Sequence, residues 1–251
     1  MKALKKSPVE YLKEIGLLTP KLSCAHCVWV TEKDMDLLAE GGATVVTNPS
    51  SNLRLQSGIA PVNAMVGKKI NVALGMDGLT MADDDDMFAE MRLLKRIQHT
   101  PGSDRPTLKY EDVIRMATVN GAKGVYLDDK LGALEPGWSA DMILVDLDAV
   151  RGIFMPESFD IVEAVVCRAK GEHVRTTIIE GEIVMHERKI TNVNKKEVED
   201  QLRAAAEKPF ERKSLKRRRI MDKLRPHYQK YYDDMTKGLK DEPYDTRNSR
   251  T

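Results

Sequence analysis

Three short apolar runs, LSCAHCVWV at 22–30, ATVVT at 43–47 and INVALG at 70–75, alternate with stretches of helical periodicity. Strand–helix alternation restricts a chain to a parallel sheet, because each connection must carry it back across the strands before the next one starts. Runs with little polar alternation also require helices on both faces of that sheet. The intervening segments carry matching signals. Pro8 suits the first position of a helix over Ser7–Gly16, with Val9, Leu12 and Ile15 on one face. Thr31 and Asp34 form a capping-box pattern that opens a helix ending at Gly41-Gly42. Further helices are expected at Ala60–Lys69, Asp83–His99 and Leu108–Leu127, the second with four aspartates at the positive end of its dipole.

The period changes near residue 127. Ala140–Leu147, Ile161–Arg168, Thr176–Glu180 and Glu182–His186 read as strands separated by turn residues, which predicts part of a small β-sandwich. Lys195–Lys208 and Lys213–Tyr232 read as helices divided at Pro209, and the end, DEPYDTRNSRT, as disordered. The expected organisation is an α/β unit over 1–130, a small β region over 131–192 and a charged tail over 193–251. A complete (β/α)8 barrel needs eight strands and roughly 250 residues. Three strands make at most a partial one.

Composition sets outer limits. With 251 residues, 41% hydrophobic and 31% charged, the chain can bury a core and is not disordered throughout. No apolar stretch reaches the roughly 18 residues of a membrane span, and none follows the basic start as a signal peptide would require. Three cysteines make no disulfide framework, so the cytoplasm is the expected compartment. The net charge of +1 hides an asymmetry: residues 195–251 hold seventeen Lys/Arg against eleven Asp/Glu, so an acidic body precedes a basic tail. That balance does not mark a nucleic-acid-binding protein, although the KRRR run at 216–219 with Tyr228, Tyr231 and Tyr232 has to be weighed by itself. Leu215, Ile220 and Leu224 at helical spacing favour a packed or solvated helix there.

Four stretches could carry chemistry. Cys24-Ala-His26-Cys27 lacks the second ligand cluster of a structural zinc site, so His26 is either a buried structural histidine or a functional one at a strand end. Asn48-Pro49-Ser50-Ser51-Asn52 taken alone is a polar loop. Gly75-Met76-Asp77-Gly78 is a turn, or else a carboxylate at the mouth of a parallel strand, suited to metal or proton chemistry. Asp83–Asp86 lacks the spaced oxygens of a calcium loop and reads as a charged helix start.

In order, SPVEYLKEIGLL, AHCVWVTEKDMDLLAEGGATVVTNPSSNLRLQSGIAPV, INVALGMDG, DMFAEMRLLKRIQ and RMATVNGAKGVYLDDKLGALEPGWSADMILVD resemble the amidohydrolase superfamily. The branch is that of the cytosine, guanine and methylthioadenosine deaminases and the triazine hydrolases. Trp138 stands where lysine is usual after EPG, and Met76 where threonine is common. The resemblance implies that the three strands are the sixth, seventh and eighth of a TIM-type barrel. It implies His26 as the sixth-strand histidine near the attacking water, and Asp77 as the eighth-strand aspartate that binds the metal and shuttles a proton. Asn48 and Asn52 would sit in the seventh-strand loop over the substrate. The implied cofactor is a divalent metal, zinc with iron as the alternative, and the implied substrate a small heterocycle.

The family's first-strand His-x-His pair has no match, nor does its fifth-strand histidine with the nearby glutamate. The five histidines are His26, His99, His173, His186 and His227, and no two are separated by one residue. The chain therefore resembles the C-terminal portion of a C–N hydrolase. A truncated gene, one half of a split enzyme and an inactive fragment all fit, with truncation ranked first because Ser7 enters the family pattern mid-barrel. Expected partners are a complementing N-terminal half or further copies, and no membrane. The rival class is a non-catalytic interaction module that uses its basic tail.

Overall fold

A computed structural model describes residues 5–78, 84–99, 107–209 and 212–237. Helix α1 (Pro8–Glu14) begins at Ser7, whose hydroxyl accepts the Glu10 N–H at 3.0 Å while its own N–H donates to Glu10 Oε2 at 2.7 Å. The Ser7 hydroxyl also donates to Asp34, which ties α1 to α2 (Glu32–Gly41). Thr31 and Asp34 do form a capping box, and Gly42 ends α2 at φ 66°, a left-handed cap that glycine adopts without strain.

Strands β1 (Ser23–Ala25), β2 (Thr44–Thr47) and β3 (Asn71–Leu74) form one parallel sheet in the order β1-β2-β3. Its register pairs Ala25 with Val46 and Thr47 with Leu74. Between β2 and β3 lie α3 (Pro49–Arg54) and α4 (Val62–Gly67), and beyond β3 lie α5 (Met87–Ile97), α6 (Tyr110–Ala117) and α7 (Val119–Gly124). Val45, Val72, Ala73 and Leu74 are all buried, as are Met35, Leu38, Met65, Leu94 and Met116 from the surrounding helices. Helix α7 lies against β2 and β3, and the Asn120 amide donates to the Val72 carbonyl at 2.9 Å. Ser23 and Ala25 of β1, at the other edge, are exposed.

Several expected elements differ. The first strand stops at Ala25 instead of running to Val30, because the backbone reverses at His26 (φ 67°) and Cys27 (φ 48°). The NPSSN segment is not a loop: Pro49 is the first residue of α3, a position that needs no N–H. The aspartates precede α5 and do not form its first turn. Asp86 is its N-cap, accepting the Phe88 N–H at 2.9 Å, and Asp83 lies outside the described residues. The single helix expected over Leu108–Leu127 breaks at Thr118, whose hydroxyl turns back onto the Ile114 carbonyl at 2.8 Å.

Beyond residue 127 the largest correction is Ile161–Arg168, read as a strand and found as helix α9, with α8 (Leu147–Arg151) before it. Asp160 caps α9 by accepting the Glu163 N–H at 2.9 Å. A short apolar run does not by itself distinguish a buried helix from a strand. The remaining strands, β4 (Met142–Val145), β5 (Val174–Ile179), β6 (Glu182–His186) and β7 (Lys189–Ile190), form one antiparallel sheet in sequence order. Arg92 of α5 donates to the Ala169 carbonyl at 3.0 Å, and Val150, Ala164 and Val166 join the same core cluster as Val45 and Leu94.

Helices α10 (Lys195–Ala206) and α11 (Arg212–Thr236) occupy the expected places on either side of Pro209, and their described side chains are all exposed. The disordered end expected from Asp241 lies outside the described residues. Because the described side chains of α10 and α11 are all exposed, removing residues 195–251 should leave the thermal unfolding midpoint of the remainder unchanged. A fall of more than about 4 °C, the equivalent of roughly 1 kcal/mol, would show that the tail packs on the body.

Candidate active site

The parallel register brings three loops together. His26, Asn48 and Gly75 each follow directly on the last residue of a strand, so they emerge on one rim of the sheet. The His26 N–H donates to the Val46 carbonyl at 2.8 Å, extending the ladder by one bond. The Cys27 N–H then donates to the Ala25 carbonyl at 2.9 Å, closing a three-residue turn around His26. A left-handed histidine in so tight a turn is strained, as side-chain-bearing residues at functional rims often are.

Two amides surround the imidazole. Asn52 Oδ1 lies 2.8 Å from His26 Nδ1, and Asn48 Nδ2 lies 3.4 Å from the same nitrogen. The shorter contact decides the tautomer: Asn52 Oδ1 can only accept, so Nδ1 carries the proton. Asn48 Nδ2 then donates to the Val46 carbonyl instead, at 3.3 Å. Both asparagines are buried. Asn48 has room only because glycine follows β3, since a Cβ at Gly75 would approach Asn48 Oδ1 to 2.5 Å.

Asp77 (φ 66°) faces this group from the third loop. Its Oδ2 accepts the Ser51 hydroxyl at 2.6 Å and lies 3.9 Å from His26 Nε2. The His26 and Asp77 side chains are 41% and 37% exposed, so a small molecule can reach both. With Nδ1 bearing the proton, Nε2 of the neutral imidazole is the nitrogen left as an acceptor, and Asp77 Oδ1 takes no part in the Ser51 bond. All four residues expected from the sequence, His26, Asn48, Asn52 and Asp77, therefore meet at one rim. Next to them, the Cys27 thiol donates to the Cys24 carbonyl at 3.8 Å; interaction with Cys24 and burial push the Cys27 thiol far above its ordinary range, whereas interaction with Cys27 lowers Cys24 against the opposing effect of burial.

Two members were not singled out from the sequence. Ser51 lies inside the quoted NPSSN stretch. Glu90 is 2% exposed on the core-facing side of α5, beside Met91 and Leu94, and accepts the Ser50 N–H at 3.2 Å. A carboxylate on an apolar helix face was the available signal. Burial raises the Glu90 pKa from its ordinary 4.5, against an opposing effect of hydrogen bonding from Ser50. The folded form therefore holds this proton at pH values where the unfolded chain has lost it. Its favourable contribution is complete below about 4.5 and is lost as pH rises through the raised value. Glu90→Gln should flatten that part of the stability–pH curve, and urea midpoints measured between pH 4 and 8 check it. A variant curve parallel to wild type would contradict the assignment.

A catalytic zinc takes about three protein ligands. Asp77 and His26 supply two donor groups of the right kind, and no group of three or more His, Cys, Asp or Glu side chains converges among the described residues. Among them, too, no helix is long and apolar enough to cross a membrane.

The profile of the amidohydrolase family matches residues 2–184. The 5'-deoxyadenosine deaminase of Methanococcoides burtonii is 37% identical over 198 residues, 79% of this chain and 44% of that protein. The 5-methylthioadenosine/S-adenosylhomocysteine deaminase of Syntrophobacter fumaroxidans is 38% identical over 79% of this chain and 45% of its own length. A zinc-bound adenosine deaminase from Xanthomonas campestris superimposes with a TM-score of 0.74 at 29% identity, covering 79% of this chain and 45% of that one. The zinc complex of the Arthrobacter aurescens atrazine chlorohydrolase shares the fold at a TM-score of 0.71 and 21% identity, over 79% of this chain and 43% of that one. The chain thus spans less than half the length of the curated relatives it matches, and over that span it belongs to the amidohydrolase family.

Proposed function

We propose that this chain is the C-terminal portion of a metal-dependent aminohydrolase that removes an amine from a nucleobase-like or triazine-like ring. The observation that carries the proposal is the pairing of His26 Nε2 with Asp77 Oδ2, 3.9 Å apart, on the rim of consecutive parallel strands. In this proposal residues 1–130 are the last part of a (β/α)8 barrel, 131–192 part of a small β-sandwich and 193–251 a charged tail. The compartment is cytoplasmic. A separate polypeptide or further copies complete the site, and the partner of choice is one equivalent to the N-terminal part of the relatives.

Deamination adds water to the ring carbon that bears the amine, and the C–N bond breaks as ammonia leaves. Asp77 takes a proton from the attacking water and returns it to the departing nitrogen. The Ser51 hydroxyl holds Oδ2, which leaves Oδ1 for that exchange and as the oxygen this chain would offer to zinc or iron. A bound metal supplies Lewis acidity that eases deprotonation of water. His26, held by Asn52, presents Nε2 as an acceptor towards the attacking water. Asn52 fixes the imidazole, and Asn48, donating to the Val46 carbonyl, and Asn52 hold the seventh-strand loop that lies over the substrate.

Co-expression with the N-terminal part of the Syntrophobacter fumaroxidans relative, followed by assay of ammonia release from 5'-deoxyadenosine and 5-methylthioadenosine, tests the proposal. Ammonia release that needs both chains and is lost on His26→Asn supports it. An assembled complex with metal present and no release from any adenine or triazine substrate refutes it. The exposed α11 favours a second reading, an interaction module, and polyanion binding that survives His26→Asn and disappears without residues 195–251 would favour it.

A further inference from the structure

The two contacts that hold the reacting pair both come from α3: Ser51 on Asp77 and Asn52 on His26. What fixes α3 is therefore what sets the pair. The helix begins without a cap of its own, since the Asn48 side chain makes no capping bond and is turned to the Val46 carbonyl and His26. Pro49 has no N–H, so Ser50 carries the first donor at this end. Glu90 accepts it, reaching across from α5 in a place where water is excluded. Helix α5 is itself pinned. Asp86 at its start accepts both the Phe88 N–H at 2.9 Å and the Gly171 N–H at 3.0 Å, and Arg92 further along the helix holds the Ala169 carbonyl.

We propose that Glu90 is a positioning residue: by anchoring α3 through the Ser50 N–H, its side-chain oxygen sets Ser51 on Asp77 and Asn52 on His26. Ser50, Ser51 and Asn52 are consecutive in one six-residue helix, so a shift at the first displaces the other two. The acceptor oxygen is what matters here, and glutamine retains it. Methionine fills a similar volume without an acceptor.

The inference rests on the proposed site for its catalytic consequence, but its test does not. In the full chain labelled with ¹⁵N-histidine, the His26 ring signals are assigned by their loss in His26→Asn. Wild type should show a proton-bearing Nδ1 and a bare Nε2, the tautomer that Asn52 enforces. Glu90→Gln should keep that signature. Glu90→Met should lose it, giving a mixture of tautomers, at a temperature where the variant is fully folded. Should Glu90→Met fail to fold, Glu90→Asp retracts the acceptor by one methylene and should move the signals in the same direction. In the assembled enzyme, Glu90→Met should lower kcat on the order of 10²-fold with little change in KM, and Glu90→Gln should recover most of it. A folded Glu90→Met with a lower unfolding temperature and an unchanged His26 signature would overturn the proposal, leaving Glu90 a merely stabilising group. A Glu90→Gln variant that shifts as Glu90→Met does would overturn it as well. An assembly that deaminates nothing, while His26 still responds to Glu90→Met and not to Glu90→Gln, would remove the proposed function and leave the positioning role standing.

Discussion

Asp77→Asn is expected to lower turnover of the assembled enzyme by about 10²–10⁴-fold, the range typical of a lost acid–base group, while the fold survives. The substitution changes one atom and keeps the shape. Its amide oxygen can still accept the Ser51 hydroxyl that now lies 2.6 Å from Oδ2. The left-handed backbone at 77 suits asparagine at least as well as aspartate. What disappears is the negative charge and the capacity to take a proton. Ser51→Ala separates the two functions of this contact: it removes the orienting bond and leaves the carboxylate, so its loss should be much smaller than that of Asp77→Asn. Steady-state rates together with unfolding midpoints for both variants are the measurement. Turnover near wild type in Asp77→Asn would refute Asp77 as the proton carrier. Equal losses in both variants would mean that placement, not charge, dominates at this position.

The sheet that carries this site was legible because its signals are local and agree with one another. ATVVT and INVALG are apolar and rich in β-branched residues, and each is bounded by residues that stop a strand. Thr31 and Asp34 announce α2 through a side-chain exchange across three residues, and the structure contains it. The failures lie where tertiary context decides. IVEAVVCR satisfies a strand template as well as a helix template. It is helical because Asp160 caps it and because it packs on α5 and α6. The break at Thr118 is a local departure of the backbone from helical angles (φ −127°, ψ −96°), which the periodicity of the surrounding residues does not signal. At the site, His26 and Asp77 could be found because strand ends in parallel sheets are where chemistry is placed, and because the family resemblance named them. Ser51 and Glu90 could not be assigned roles in that way. The contact from Glu90 to Ser50 spans forty residues and exists only once α5 lies beside α3. A sequence can show that a carboxylate falls on an apolar face, but not which N–H it meets there.

The same geometry sets an expectation for metal. The chain by itself, loaded with zinc and then dialysed, should retain far less than one equivalent. Among the described residues, Asp77 and His26 are the two candidate donors that face one another at the rim, and their facing atoms are 3.9 Å apart. Both side chains are more than a third exposed, so water competes for the ion and screens its attraction to the carboxylate. Cys24 and Cys27 sit close by in sequence, but both are partly buried, and the Cys27 thiol donates to the Cys24 carbonyl. A tetrahedral site needs about three protein ligands before its open position becomes useful, and a pair of donors forfeits most of that affinity. Adding a chain that brings the missing histidines should therefore raise zinc content to about one equivalent, and Asp77→Ala should lower it again in the complex. Metal analysis by mass spectrometry on the chain alone, the complex and the Asp77→Ala complex decides the matter. Near-stoichiometric zinc in the dialysed single chain, lost on Asp77→Ala, would mean that this half assembles a metal site without help. Retention that ignores Asp77 but disappears on Cys24→Ser would place the ion at the thiols, and the assignment of Asp77 as a metal ligand would fall.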